Sequence, residues 1–239
     1  MPLLELNGVS KSFGALVVAE DISFAVETGE ALGVIGPNGA GKSTLFNLIN
    51  GNLAVAGGSV TFDGKDVTTV PPMQRCLAGM GRTFQIPQPF ERLTVYENLL
   101  VAGAFGSRAS ENDVAGFCAD ILVETGLIAK ANVAAASLTL LERKRLELAR
   151  ALATKPKLLL LDEIAGGLTE GECKQLVATI KRVHSRGVTI IWIEHVLNAL
   201  TAVAERLLVL NFGRVIGIGA PDDIMASRAV REIYLGMEV

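Results

Sequence analysis

Residues 36–43 read GPNGAGKS, and the apolar run ALGVI at 31–35 comes directly before them. The pattern G-x-x-x-x-G-K-[ST] restricts the chain to a buried strand, a tight small-residue turn and a helix entered at its N-terminus. Small residues let successive backbone N–H groups turn inward around phosphate oxygens, and the positive end of the following helix faces the same anion. The candidate contacts are Gly36, Pro37, Asn38, Gly39, Ala40, Gly41, Lys42, Ser43 and Thr44. Lys42 supplies a point charge between the β- and γ-phosphates, and the Ser43 hydroxyl is a ligand for Mg²⁺. At average residue frequencies this pattern arises by chance in about one chain in a hundred of this length. A plain Gly-rich turn is the competing reading. The apolar run before the loop and the helical spacing of STLFNLIN after it argue for the phosphate site.

A loop of this kind needs a parallel sheet to hold it, and the rest of the chain reads that way. LLELNGVSKSF, ISFAVETG and SVTF are short runs between turn signals, which suits an N-terminal antiparallel β-subdomain. After about Pro87 the pattern becomes helical, over 94–106, 111–125 and 139–153. Strand and helix then alternate: LLLLD, a helix over 171–186, VTIIWI, a helix over 195–204, RLLVLN. RVIGIG follows a turn at Asn211-Phe212-Gly213, and the tail from Pro221 reads as helix. The expected architecture is one α/β domain over 1–239, its core formed by 1–86 and 153–239, with a helical lobe inserted at 87–152.

Composition fits this plan. Half of the 239 residues are hydrophobic and only 5% are aromatic, which suits close packing of sheet and helix. A net charge of −3 gives no general attraction for nucleic acid. The mean hydropathy of +0.42 fits a large core or apolar surface meant for partners. No apolar run approaches the ~20 residues that span a bilayer, and no signal peptide is evident. Cys76, Cys118 and Cys173 are scattered without metal spacing, as in a reducing compartment.

LLLLDE at 158–163 is an apolar strand ending in two carboxylates. The C-terminal end of such a strand lies beside the phosphate loop of an open α/β sheet. Asp162 would then hold Mg²⁺, directly or through water, and Glu163 would polarise the attacking water. His195 ends the next strand, within reach of a γ-phosphate. Taken alone it would more often be a packing or surface residue. His184 reads as a surface residue on a basic helix.

Phosphate loop, helical lobe, LLLLDE and His195, in this order, resemble the ATP-binding subunit of ABC transporters over nearly the whole chain. The resemblance implies a P-loop NTPase core of the RecA-like type, with ATP and Mg²⁺ as cofactors and ATP hydrolysis as the activity. It makes Phe13 in KSFG the aromatic that stacks on adenine. Gln85 in GRTFQ becomes the glutamine between core and lobe that touches Mg²⁺ and senses the permease. Glu163 becomes the catalytic carboxylate, and His195 a histidine that, with Lys42, holds the γ-phosphate. Aligning on ARAL at 149–152 places the family's LSGGQ signature at Leu138–Glu142, in altered form. Thr139-x-x-Glu142 is a capping box that can start a helix there, and Thr139 keeps the signature's hydroxyl. A simple amphipathic helix start is the alternative. Both signature glycines are replaced, by Leu140 and Leu141, where backbone must approach closely. Ile164 replaces a usual proline, and Gly166–Thr169 replaces the usual loop that communicates across the dimer.

RTFQIPQPFERLTVYENLLVA (82–102) and the tail GAPDDIMASRAVREIYLG are similar to segments of branched-chain amino-acid importer ATPases. That similarity implies a bacterial importer subunit peripheral to the cytoplasmic face of the inner membrane. Its partners would be a second ATPase subunit, either a self-copy or, the favoured reading, a non-identical chain, together with permease subunits and, indirectly, a periplasmic solute-binding protein. No nucleic acid is expected. Two other readings stay open: a regulatory nucleotide-binding subunit with little hydrolysis, and a soluble ATPase of this type not tied to transport.

Overall fold

The computed structural model describes residues 1–235. Gly236–Val239, the last residue of the similar tail segment among them, lie outside the described residues. The chain opens with β1 (Leu4–Phe13) and β2 (Leu16–Val26), an antiparallel pair, followed by β3 (Ala31–Ile35) and α1 (Lys42–Ile49). β4 (Gly57–Phe62) and β5 (Lys65–Asp66) complete a four-stranded antiparallel sheet in the order β2-β1-β4-β5. α2 (Pro72–Ala78) and β6 (Met80–Arg82) lead into three longer helices, α3 (Val95–Ser107), α4 (Glu111–Glu124) and α5 (Leu140–Ala153). Then come β7 (Leu158–Asp162), α6 (Glu170–Ser185), β8 (Thr189–Ile193), α7 (Leu197–Thr201), β9 (Arg206–Asn211) and β10 (Arg214–Gly219). α8 (Pro221–Ala226) and α9 (Arg228–Leu235) close the described chain.

The second sheet runs β10-β9-β3-β8-β7-β6. All of its pairs are parallel except β9 with β10. Its central strands β7 and β8 are buried at every position because both faces are covered, and apart from Thr189 and Asp162 they are apolar. The period of two divides them cleanly. Leu159, Leu161, Ile190 and Trp192 point into the core shared with the three long helices. Leu158, Leu160, Ile191 and Ile193 point into the core shared with α1 and the antiparallel sheet. α1 buries Leu45, Phe46, Leu48 and Ile49 there, each contributing about 1.5–3 kcal/mol relative to exposure.

The helices start where local chemistry tells them to. Thr94, Ser110, Thr139 and Thr169 each cap a helix, with Glu97, Asp113, Glu142 and Glu172 returning the bond three residues on. α7 is shorter than the helix expected over 195–204. Residues 194–196 stay outside it because the Glu194 carboxylate accepts the backbone N–H groups of His195 and Val196, at 2.8 and 3.3 Å.

Candidate functional site

Strand register decides which residues meet. Val34 of β3 stands beside Ile193 of β8, and Ile193 stands beside Asp162 of β7. All three strands are parallel, so Gly36, Glu163 and Glu194-His195 leave the sheet at one edge. β6 adds Arg82 beside Leu160. The Thr83 hydroxyl accepts the Asp162 N–H at 3.1 Å, and the Gln85 segment therefore joins the same edge.

The phosphate loop wraps the start of α1. Gly39 and Gly41 have φ of 80° and 101°, a region that L side chains rarely adopt. A Cβ on Gly41 would also come within 2.8 Å of the Val18 carbonyl. Lys42 is buried, and its ammonium donates to the Gly36 and Pro37 carbonyls at 2.8 and 3.0 Å. Burial pulls its pKa below the usual lysine range, while Glu163 and Asp162 oppose that. A cavity of about 370 Å³ lies against the loop. Residues 38–44 line it, together with Glu163 and, on the other wall, Leu16, Val17, Val18, Phe212 and Gly213.

Glu163 is the centre of the polar cluster. It follows β7 with φ 47°, a strained value for a non-glycine residue, and its N–H donates to the Ile193 carbonyl at 2.9 Å. One carboxylate oxygen accepts from Gln85 Nε2, at 2.5 Å, and the other lies 2.9 Å from His195 Nε2. Asp162 is buried at the strand end. Burial raises its pKa, against the opposing effect of Arg82, whose Nη2 donates to it at 2.9 Å. The other arm of Arg82 donates to Asn47 Oδ1 at 2.7 Å, and its guanidinium lies over the rings of Phe46 and Phe84.

Gln85, Asp162, Glu163, His195 and the phosphate loop thus form one site. Of the polar cluster beyond the loop only Glu163 lines the cavity; Gln85, Asp162 and His195 stand behind it, while Thr139 and Phe13 neither line the cavity nor bond to the cluster. Thr139 caps α5: its N–H donates to Glu142 at 2.9 Å, and Glu142 also pairs with Lys130 at 3.2 Å. Phe13 is exposed at the end of β1, in register with Leu16, which does line the cavity. Ile164 is fully buried in the helix-side core. His184 differs from expectation: it is partly buried, with Nε2 2.8 Å from the Gly29 carbonyl, and so ties α6 to the entry of β3.

Sequence reasoning gave no role to Arg82, Lys144 or Glu194. Lys144 is buried, and its ammonium donates to the Gln85 carbonyl at 2.7 Å and the Glu163 carbonyl at 3.2 Å. Glu194 is buried and also accepts the Ala165 N–H at 3.0 Å. Only position hinted at them: Arg82 three residues before Gln85, Glu194 beside His195, Lys144 inside a charge block that reads as solvated surface.

Phosphate loop, acidic strand end and inserted helices define a nucleoside-triphosphatase of the phosphate-loop class. The comparisons narrow it. The ABC transporter family model matches residues 19–166. The chain is 34% identical over 250 residues to the high-affinity branched-chain amino acid transport ATP-binding protein BraF of Pseudomonas aeruginosa, with 98% of each chain covered. It is equally identical over 252 residues to LivG of Salmonella typhimurium, named for the same transport, again with 98% of each covered. A nucleotide-free ATP-binding cassette from an ABC transporter superimposes with a TM-score of 0.90 at 30% identity, covering 99% of this chain and all of that one. The chain belongs to the ABC transporter family, as one of its ATPases. ATP-binding subunits of such transporters dimerise and act with membrane permease components. Among the described residues no helix is long and apolar enough to cross a membrane.

Proposed function

We propose that this chain hydrolyses ATP as one of two non-identical ATPase subunits that power a bacterial importer of branched-chain amino acids or related small solutes. The observation that carries the hydrolytic reading is Glu163, held at the rim of the phosphate-loop cavity by Gln85 on one oxygen and His195 on the other. A carboxylate held on both sides there can orient a water for in-line attack on the γ-phosphate. Lys42 would leave the loop carbonyls for the β- and γ-phosphates, and His195 would face the γ-phosphate. Phe13, beside the Leu16 wall, would cover the adenine.

The donor set fits Mg²⁺. The Ser43 hydroxyl, the Gln85 amide oxygen and the Asp162 carboxylate are hard oxygen donors of the kind that ion takes together with substrate phosphates. When bound, it neutralises charge on the β- and γ-oxygens. Arg82 takes one oxygen of Asp162 and leaves the other.

The solute rests on full-length similarity to BraF and LivG, and with it a site on the cytoplasmic face of the inner membrane and service to a periplasmic solute-binding protein. A non-identical partner is favoured by Leu140 and Leu141, which add bulk where a signature backbone must approach the other subunit's phosphate. The same residues support a second reading, a regulatory subunit that binds ATP and hydrolyses little. Glu163→Gln separates the two in the assembled complex. Intact ATP binding with turnover reduced at least a hundredfold supports hydrolysis on this chain; unchanged turnover supports the regulatory reading. Loss of leucine, isoleucine and valine uptake on deletion of the chain tests the solute, and unchanged uptake of all three would overturn it.

A further inference from the structure

Lys144 sits in the second turn of α5, the helix whose tip is the altered signature. A lysine there would ordinarily reach solvent. This one is 4% exposed, and the two bonds found for its ammonium go to main-chain carbonyls, those of Gln85 and Glu163. It has no ion pair among the described residues. Four carboxylates face it from the packed elements: Glu194 after β8, Glu163 and Asp162 at the end of β7, and Glu147 on α5 itself. They offset part of the cost of burying the charge.

Those two acceptors belong to the two residues whose side chains meet at the site, Gln85 Nε2 and Glu163 Oε2. Their side chains are bonded to each other, and their carbonyls share one ammonium. Glu163 needs such support, because its left-handed φ of 47° persists only where neighbours hold it. Its N–H is fixed by β8, and its carbonyl accepts from Lys144 at 3.2 Å and from the Gly166 N–H at 3.3 Å. The Lys144 backbone lies about 7.5 Å along the helix axis from Thr139. A displacement of the α5 tip therefore reaches the Glu163 backbone through a single side chain.

We propose that Lys144 is a positioning residue: its ammonium fastens the main chain of Gln85 and Glu163 to α5, so that the position of the helical lobe sets the aim of the Glu163 carboxylate. The proposal rests on the reading of Glu163 as the group that orients water.

The test compares Lys144→Met, Lys144→Gln, Lys144→Arg and Glu163→Gln in the full chain assembled with its partner ATPase. ATP affinity, KM and kcat are measured at equal folded fraction. Methionine keeps the length and removes the donors; glutamine keeps one donor group, and arginine keeps the charge. The expected result is a kcat at least tenfold lower for Lys144→Met, with ATP affinity and KM within twofold. Partial recovery is expected in Lys144→Gln or Lys144→Arg. Normal kcat in Lys144→Met, with turnover lost in Glu163→Gln, overturns the proposal while leaving the role of Glu163 intact. Parallel loss of affinity and turnover, equal in all three Lys144 variants, shows a packing role and also overturns it. Turnover that survives Glu163→Gln removes the underlying reading, and the proposal with it.

Discussion

Arg82 and Asp162 form an ion pair whose side chains are both largely withdrawn from water. Removing one partner of such a pair leaves a buried charge without its counter-ion, which costs more than the pair itself contributes. Arg82→Ala is expected to lower stability by about 3–5 kcal/mol, read as a shift in the urea unfolding midpoint in Mg²⁺-free buffer. A change below 1 kcal/mol would mean that water already reaches Asp162. Gly41 sets a second residue-scale test. At φ 101°, with the Val18 carbonyl 2.8 Å from any Cβ, Gly41→Ala should abolish ATP binding while the fold persists by circular dichroism. What the sequence disclosed at this scale followed chemical rarity. The phosphate loop, the paired carboxylates and a histidine at a strand end are conspicuous against their surroundings. Lys144 and Arg82 were not, because a cation in a sequence reads as surface and only tertiary packing encloses it.

Among the elements, α5 has the most to report. Its cap is reciprocal, Thr139 with Glu142. Thr139→Ala should cost about 1 kcal/mol of stability, measured by denaturant titration. The cap also titrates. The Thr139 N–H, helped by Lys130, holds the Glu142 carboxyl below the usual glutamate range. The folded form therefore binds this proton less readily than the unfolded chain, whose value is ~4.3. The cap's contribution is complete above that value and disappears as pH falls through the folded pKa. The stability difference between wild type and Glu142→Gln should accordingly be constant near neutrality and shrink below about pH 4. A difference unchanged down to pH 3 would exclude a charged cap. Elements were the most legible level of the sequence, since period-two strands and capped helices carry their own signals. α2 and β6 had no counterpart in the sequence reading, and α7 was shorter than expected. The Glu194 carboxylate holds the two N–H groups that would have begun the helix earlier, and a residue spacing does not reveal that bond.

At the scale of the whole molecule, the proposed pairing with a non-identical ATPase turns on one feature. The phosphate loop and its carboxylates are assembled within the chain, but the α5 tip presents Leu140 and Leu141 in place of glycine. The Glu142 carboxylate also stands in its first turn, which disfavours a second anion there. A pair of identical chains would therefore form two sites, each with a poor trans half. On the proposed reading, pairing with a subunit of intact signature gives one good site, built on the phosphate loop described here. The most direct measurement is steady-state Mg-ATP hydrolysis by the purified chain over a range of concentrations, with and without its partner ATPase, for wild type and Glu163→Gln. The expected result is negligible turnover by the chain alone at every concentration, a marked rise when the partner is added, and loss of that rise in Glu163→Gln. Specific activity that climbs with concentration in the chain alone, or a partner-induced rise that survives Glu163→Gln, would contradict the account.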